Sequence, residues 1–282
     1  MTILHTIPEM RAACTAARRG GKRLGFVPTM GALQEGHLSL VRAARARCDA
    51  VAVSIFVNPT QFGAGEDFSK YPRTFERDRD LLEAGEVDLL FVPSVQEMYP
   101  KGAVTFVTVE GLSEKLCGRS RPGHFRGVTT VVSKLFHIVE PDLAFFGQKD
   151  AAQATIIRKM VRDLDLPVEV VVCPIAREPD GLAMSSRNAY LDAAQRRSAT
   201  VLYRALQRVE ELAAKGERRS AALMDAARRV FSEEPSVRVD YVEIVDNEVL
   251  DPVEDVSRGA LVAVAAFVGT TRLIDNVLLP GR

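Results

Sequence analysis

The chain has 282 residues, of which 47% are hydrophobic and 26% are charged, as in an ordinary globular protein. Lys+Arg and Asp+Glu balance at 37 each, which argues against bulk nucleic-acid binding because that function usually shows as a basic excess. No apolar stretch reaches the roughly 18 residues that span a bilayer, and the N-terminus lacks a signal-peptide pattern. We therefore expect a cytoplasmic protein with neither nucleic acid nor membrane as a partner.

The first 175 residues alternate short apolar runs with amphipathic segments. Strands are predicted over 23–27, 50–57, 88–92, 143–146 and 168–173, and helices over 37–47, 74–84, 127–139 and 150–164. Strands that alternate with helices of this length are typical of βαβ units. The fold class expected for residues 1–175 is α/β, with a Rossmann-like, doubly wound parallel sheet.

The pattern changes after Pro174. Two helical stretches, 192–214 and 221–231, come first, and three strand-like runs, 237–245, 261–268 and 273–278, close the chain. Helices grouped before strands predict a separate α+β arrangement. Residues 176–282 are therefore expected to form a smaller α+β C-terminal domain.

The four cysteines, Cys14, Cys48, Cys117 and Cys173, include no C-x-x-C pair. A zinc site or a thioredoxin-like motif is therefore not indicated. Buried thiols in a reducing compartment are the simpler interpretation.

Polar loops that carry glycine follow four of the predicted strands. In a doubly wound sheet, ligands bind beyond the carboxyl ends of the strands, so these loops are expected to share one rim. The four loops are Pro28–His37, Asn58–Gly63, Gly147–Gln153 and Arg177–Asn188.

The residue types in these loops suit a nucleotide and a small acid. Gly31 and Gly36 let the backbone approach a phosphate, and a helix that begins near His37 offers unpaired N–H groups. The loops also contain cationic and hydroxyl groups that can donate hydrogen bonds to phosphate. Neutral amides in them can bind carboxylate and hydroxyl groups. The donors are Lys149, Ser185, Ser186 and Arg187, and the amides are Asn58, Gln61 and Gln153.

Each residue also has a structural interpretation. His37 could pair only with nearby backbone, Gly147 could be only a turn, and Asp150 only an N-cap. Met30 could merely fill space, and 185–187 could be a plain loop. Four such loops on one expected rim favour a nucleotide site.

The loops resemble known signatures. Thr29–His37 is similar to the T-x-G-x-x-H-x-G-H signature of the nucleotidylyl transferase superfamily, and Met184–Arg187 to its KMSKS-like signature. Together with further segments, they resemble the pantothenate synthetase (pantoate–β-alanine ligase) family over essentially the whole chain. Those segments are 54–62, 71–74, 121–127, 146–150, 180–188 and 272–276.

The resemblance implies a two-step ligation. Pantoate attacks the α-phosphate of ATP to give pantoyl adenylate and pyrophosphate, and β-alanine then displaces AMP to form pantothenate. It also implies ATP as a substrate, Mg²⁺ with the ATP, a homodimer, and a C-terminal domain that closes over the ATP site. The sequence assigns no metal ligands.

The resemblance also implies roles for individual residues. The residues expected to be catalytic are His37, Lys149 and Arg187. The residues expected to contact ATP are Met30, Gly31, Gln34, Gly36, His37, Gly147, Gln148, Lys149, Asp150, Ala176, Met184, Ser185, Ser186 and Arg187. Pantoate is expected at Asn58, Gln61 and Gln153, and β-alanine at Gln61. Because the acyl adenylate is already activated, no covalent enzyme intermediate is predicted.

One position departs from the family pattern, because Gln34 stands where the first signature histidine is expected. Glutamine can donate a hydrogen bond but cannot carry a positive charge. If that histidine acts as a cation, activity should fall by roughly tenfold at most, since about 1.4 kcal/mol is one decade.

Two other functions would use a similar nucleotide site. An adenylyltransferase would keep AMP in its product, and a nucleotide-binding regulator would bind without turnover. The small size and neutral charge argue against a tRNA synthetase.

Outside the four loops, Arg121, His124 and Arg126 are possible site-lining residues, and 64–73 is a candidate mobile lid.

Overall fold

A computed structural model describes residues 1–63 and 65–281, apart from the side chain of Asp67. It divides the chain into two compact units. The first unit contains Met1–Gly147 and Ile156–Pro174, and the second contains Gln148–Thr155 and Ile175–Arg282. Gln148–Thr155 therefore belongs to the second unit, although it precedes residue 175.

The first unit is built on a six-stranded sheet in which every pairing is parallel. The strand order is β1-β4-β3-β2-β5-β6. The strands are β1 (Thr2–Leu4), β2 (Leu24–Thr29), β3 (Ala50–Ile55), β4 (Leu89–Phe91), β5 (Leu143–Gly147) and β6 (Glu169–Cys173). The α/β class and the parallel sheet predicted from the sequence are confirmed.

Helices connect these strands. They are α1 (Ile7–Arg19), α2 (Glu35–Arg45), α3 (Phe75–Ala84), α4 (Val95–Met98), α5 (Cys117–Ser120), α6 (His124–Val139) and α7 (Ala151–Asp163). The boundary between the two units at residues 155 and 156 lies inside α7.

The apolar pattern explains why β3 lies inside the sheet. Val51, Ala52 and Val53 are all fully buried although neighbouring residues point to opposite faces, so both faces of the strand are covered. Leu40, Val41 and Ala44 form the buried stripe of α2, which packs into the same core as Val51 and Val53.

The strand order places the loops. Because the strands are parallel, the carboxyl ends of β2, β3 and β5 lie at one edge of the sheet. The chain runs from β2 outward to β3 on one side, while β5 pairs on the other side of β2. The crevice between β2 and β5 is therefore the topological switch point, where doubly wound sheets bind ligands.

The second unit contains an antiparallel three-stranded sheet and three helices after Pro174. The strands β7 (Val237–Val245), β8 (Arg258–Val268) and β9 (Thr271–Gly281) pair in the order β7-β8-β9. The helices are α8 (Ala193–Ser198), α9 (Val201–Ala214) and α10 (Ser220–Ser232). Apolar residues of α9 and α10 pack with one face of the sheet in a single core.

Several predicted bounds shift by a few residues, and two differences change the arrangement of elements. The helix predicted over 192–214 is two helices, because α8 ends at Ser198 and α9 begins at Val201. The predicted strands 261–268 and 273–278 extend to Arg258–Val268 and Thr271–Gly281, and thus form a longer hairpin. No helix within 1–63 and 65–281 is both long and apolar enough to cross a membrane.

Candidate active site

The loop after β2 is held in an unusual conformation by a carboxylate from α3. Gly31 and Ala32 have φ angles of 81° and 50°, in the left-handed region. The buried Asp78 carboxylate accepts the N–H groups of Ala32 and Leu33, both at 2.8 Å. A Cβ at position 31 would come within 3.1 Å of Asp78 and Ile55, so both the φ angle and the space favour glycine there.

His37 lies in the first turn of α2 and is oriented by the backbone of Gln34. The Gln34 N–H donates to Nδ1 of His37 at 3.2 Å. Because Nδ1 accepts this bond, the neutral ring carries its proton on Nε2, where it is a donor. Gly36, beside it in the same first turn, leaves the backbone there without a side chain. The start of α2 thus combines N–H groups, a positive dipole end and an imidazole donor.

Gln61 contacts Met30 across the carboxyl edge of the first unit's sheet. Its Nε2 lies 3.1 Å from the Met30 sulfur, and its Oε1 accepts from Asn58 Nδ2 at 3.1 Å. Only 8% of Gln61 is exposed. The loops after β2 and β3 are therefore in direct contact through two predicted site residues.

The amide of Asn58 is engaged by protein groups. Its Oδ1 accepts from the hydroxyls of Tyr99 and Thr60, each at 2.9 Å. Its Nδ2 donates to the Gly127 carbonyl at 3.0 Å as well as to Gln61. Burial raises the pKa of Tyr99, which keeps its hydroxyl a donor, although the Thr60 hydrogen bond opposes this. Asn58 therefore fixes the orientation of the Gln61 amide.

The start of α6 approaches the Asn58–Gln61 turn very closely. A Cβ at Gly127 would lie 2.4 Å from the Thr60 carbonyl oxygen, a distance that no side chain allows. Gly127 therefore makes this packing possible.

A chain of hydrogen bonds runs from Glu66 to the backbone of Gln61. Arg121 donates to Glu66 through Nε at 2.9 Å and through its terminal nitrogen at 2.5 Å. Another Arg121 nitrogen lies 3.0 Å from Nε2 of His124, whose Nδ1 lies 2.9 Å from the Gln61 carbonyl. A guanidinium only donates, so Nε2 accepts and Nδ1–H donates to Gln61. These contacts attach part of the predicted lid segment to the Gln61 turn.

The second unit holds the predicted phosphate lysine. Gln148–Asp150 forms a single 3₁₀ turn before α7, and the Lys149 ammonium lies 3.8 Å from the Asp150 carboxylate. Asn276 of β9 donates to the carbonyls of Gln148 and Lys149 at 2.9 and 3.0 Å. Gln153 is half-buried in the first turn of α7.

The loop with the KMSKS-like signature is also part of the second unit. Met184 N–H donates to the Ala176 carbonyl at 3.0 Å, and Arg177 and Ala183 form an antiparallel bridge. The Ser185 hydroxyl accepts the Arg187 N–H at 3.3 Å and so begins the 3₁₀ turn Ser186–Tyr190. This hairpin positions Ser185, Ser186 and Arg187 next to one another.

Each unit thus brings together part of the predicted set. Within the first unit, Met30, Asn58 and Gln61 are in contact, and Gln34 pairs with His37 near Gly31 and Gly36, while Gly147 ends β5. Within the second, Gln148, Lys149 and Asp150 share one turn, and Ala176 pairs with Met184. Sequence reasoning missed Asp78, Tyr99, Glu66 and Asn276 as supports of these residues.

In the described ranges, no three His, Cys, Asp or Glu side chains form a group that could hold a metal ion. The four cysteines are all buried thiols.

Comparison with known proteins gives consistent results. A family model described as pantoate-beta-alanine ligase matches residues 2–278. The pantothenate synthetase of Koribacter versatilis is 60% identical over 279 residues, which cover 99% of this chain and 96% of that protein. That of Acidobacterium capsulatum is 62% identical over 286 residues, which cover 98% and 96%.

Solved structures that match this chain come from the same family. The crystal structure of pantothenate synthetase from Thermus thermophilus matches with a TM-score of 0.93 and 48% identity, covering 98% of this chain and 99% of that one. The pantoate-beta-alanine ligase of Francisella tularensis, complexed with beta-gamma ATP and beta-alanine, matches with a TM-score of 0.81 and 33% identity. That match covers 99% of this chain and 97% of the other.

Proposed function

The chain belongs to the pantoate-β-alanine ligase family and carries out its ATP-dependent joining of pantoate to β-alanine, and we propose that the reaction passes through a pantoyl adenylate. The carboxylate oxygen of pantoate bonds to the α-phosphorus of ATP while the bond to pyrophosphate breaks. The β-alanine amine then bonds to the acyl carbon, loses a proton, and AMP leaves. A regulator that binds nucleotide without turnover does not fit a family of ligases. An adenylyltransferase, which transfers AMP to a phosphate acceptor, does not fit it either.

The single observation that carries the proposed geometry is the hydrogen bond from Gln34 N–H to His37 Nδ1. It leaves the His37 proton on Nε2, so His37 is a donor for phosphate oxygens beside the N–H groups of α2. We assign the ATP phosphates to this helix start, and the rest of the nucleotide to the loop through Met30, Gly31, Gln34 and Gly36, with Gly147 at the end of β5.

Gln61 is the proposed contact for both pantoate and β-alanine. Its amide is held on one side by Asn58, so it can present a fixed donor and acceptor to a carboxylate or a hydroxyl. The Asn58 amide already forms its hydrogen bonds with protein groups. We therefore propose that Asn58 contributes to pantoate binding by orienting Gln61. Gln153 supplies the second proposed amide for pantoate.

The second unit supplies the proposed cationic and hydroxyl groups. Lys149 and Arg187 neutralise charge that develops on the phosphates as pyrophosphate leaves, which lowers the barrier of the first step. Residues of the same two segments complete the assignment to ATP, namely Gln148, Asp150, Ala176, Met184, Ser185 and Ser186.

Mg²⁺ is proposed to arrive with the ATP. This ion keeps several waters and is usually held by substrate phosphates with one or two carboxylates, so it needs no dedicated protein cluster. Asp150, in the same turn as Lys149, is the carboxylate that could contribute a ligand. The ion would neutralise phosphate charge during adenylation.

We also propose a cytoplasmic homodimer. The buried thiols suit a reducing compartment. The exposed apolar side chains of Val104 and Phe106, 82% and 42% exposed, fit a surface that a second copy covers.

The test is isotope exchange between pyrophosphate and ATP, with Mg²⁺ present and β-alanine absent. Exchange that requires pantoate would establish reversible adenylation of that acid. Absence of exchange despite measurable ATP binding would rule out the adenylate route. Trapping of an acyl-enzyme on Ser185, Ser186 or a cysteine would contradict the prediction that no covalent intermediate forms.

A further inference from the structure

The side chain of Asn276 makes three hydrogen bonds to two consecutive residues around the proposed phosphate lysine. Its Nδ2 donates to the carbonyl oxygens of Gln148 at 2.9 Å and Lys149 at 3.0 Å. Its Oδ1 accepts from Nε2 of Gln148 at 3.2 Å. Asn276 is only 3% exposed, so water does not compete for these bonds.

These bonds use both donors of the amide and its acceptor. An asparagine amide has two N–H donors and one carbonyl oxygen. Each donor is committed to a different carbonyl, so the two peptide units on either side of the Lys149 Cα are fixed. The point from which the Lys149 side chain extends is therefore set by Asn276.

Asn276 is in turn held by the residue before it. The Asn276 N–H donates to Asp275 Oδ1 at 2.8 Å. Arg177 contacts the same carboxylate through two nitrogens, at 2.6 and 3.0 Å, and its guanidinium lies 4.5 Å from the centre of the Tyr203 ring. Neighbouring residues of β9 point to opposite faces, so Asp275 is directed to the Arg177 side and Asn276 to the Lys149 turn.

We propose that Asn276 is a positioning residue for Lys149 in the adenylation step. The inference rests on the proposed function, in which Lys149 contacts the phosphates of ATP. Asn276 touches neither substrate nor reacting atom. Its contribution is to hold the Lys149 backbone in the one orientation from which the ammonium reaches the phosphates, so that no rearrangement is needed in the transition state.

A double-mutant cycle with Lys149 tests this inference. The variants are Asn276→Ala, Lys149→Ala and the double variant, and the readouts are pantoate-dependent pyrophosphate–ATP exchange and the Kd for ATP by calorimetry. We expect Asn276→Ala to slow exchange by roughly 10- to 100-fold, by analogy with the loss of outer-shell partners that orient metal ligands. In the Lys149→Ala background the same change should alter exchange and Kd by less than about threefold, since residues that act as a unit are not additive.

The matched control is Thr155→Val. The Thr155 hydroxyl donates to the Asn247 carbonyl at 3.0 Å, at the other end of the segment that contains Lys149. Its loss removes one hydrogen bond of that segment without touching the Lys149 peptide, so exchange should change by less than about twofold. Asn276→Asp, which keeps the shape and loses the two donors, replaces the alanine variant if the latter fails to give a cooperative thermal transition.

Equal effects of Asn276→Ala in the two backgrounds would reduce Asn276 to general structural support and overturn the inference. Full exchange by Asn276→Asp would also overturn it. Full exchange by Lys149→Ala would instead show that the proposed role of Lys149 is wrong, and absence of pantoate-dependent exchange in the unmodified enzyme would show that the adenylate route is wrong.

Discussion

The carboxylate of Asp78 accepts the backbone N–H of Ala32 at 2.8 Å, across 46 residues of sequence. The second oxygen accepts the N–H of Leu33 and the hydroxyl of Thr74. A single side chain on α3 thus determines the path of the loop that leads to His37. The proposed phosphate site therefore depends on a helix that contributes no proposed substrate contact.

Replacement of Asp78 should damage both stability and adenylation. Asp78→Ala leaves two buried N–H groups without acceptors, at about 1–3 kcal/mol for each unsatisfied group. We expect a cooperative but clearly lower thermal transition, and pantoate-dependent exchange reduced by at least about tenfold because the loop relaxes. Asp80→Ala is the matched control, since the exposed Asp80 on the same helix pairs with Arg79. A stable, fully active Asp78→Ala protein would contradict this account.

Gln34→His restores the histidine that the family signature contains. The His37 ring is oriented by the backbone N–H of residue 34, which the substitution keeps, so His37 should stay in place. The adenylation rate should stay the same or rise, by roughly tenfold at most. Exchange rates with saturating ATP measure this directly, with His37→Ala as the inactive reference. A large loss would show that the Gln34 side chain has a local packing role.

Glu66→Gln tests the chain of hydrogen bonds that reaches Gln61. Burial acts to raise the pKa of Glu66, but the hydrogen bonds and charge of Arg121 outweigh it, so this pKa lies below its ordinary 4.5. A carboxyl group whose pKa is lowered by folding stabilises the folded state at pH values above 4.5. This stabilisation is lost as the pH falls from 4.5 through the lower pKa of the folded state. At pH 7 the variant should lose about 1 kcal/mol in urea unfolding and show a higher KM for pantoate.

The difference between the two proteins should shrink as the pH falls below 4.5, where the unmodified Glu66 also becomes protonated. Glu76→Gln is the control, since Glu76 pairs with Arg79 and is 74% exposed. If the difference in unfolding free energy between Glu66→Gln and the parent is the same at all pH values, the ion pair contributes no stability.

Cys14 should make stability fall at high pH. Burial raises the pKa of its thiol from 9.0 to about 11, while Arg18 opposes the shift. Between these values the unfolded chain releases the proton and the folded chain keeps it, so stability is full below pH 9 and falls as the pH rises toward 11. From about pH 8.5 to about pH 10.5 the parent should lose roughly 2 kcal/mol relative to Cys14→Ala. Urea midpoints that change in parallel for both proteins would refute this.

Five of the six strands of the parallel sheet could be predicted from their apolar runs, but the short strand β1 was not predicted. In β3 the run is continuous because both faces of the strand are buried. The N-terminal helix α1 was not predicted, although Thr6 and Glu9 form a capping box and Pro8 lies in its first turn. The signal for this helix is therefore present in the sequence. The break between α8 and α9 has no comparable local signal, since neither glycine nor proline lies between Ser198 and Val201.

The predicted site residues came from loops whose place follows from parallel strands. The residues that hold these loops in place could not be predicted from the strand order. Asp78 lies on a polar helix and Asn276 on an antiparallel strand, and neither sequence context indicates a partner 46 or 127 residues away. The same holds for the His124 contact with Gln61. Only three-dimensional packing pairs a buried polar side chain with a distant backbone group.

The chain passes between its two units three times, and one passage lies inside α7. A gene truncated after codon 175 would keep Lys149 but lack the Asn276 amide that holds its backbone, and the complementary fragment would keep Asn276 without the lysine turn. No single cleavage point therefore separates the enzyme into two self-sufficient polypeptides. Experiments that isolate one half need a designed linker replacing Gln148–Thr155, or complementation between co-expressed fragments.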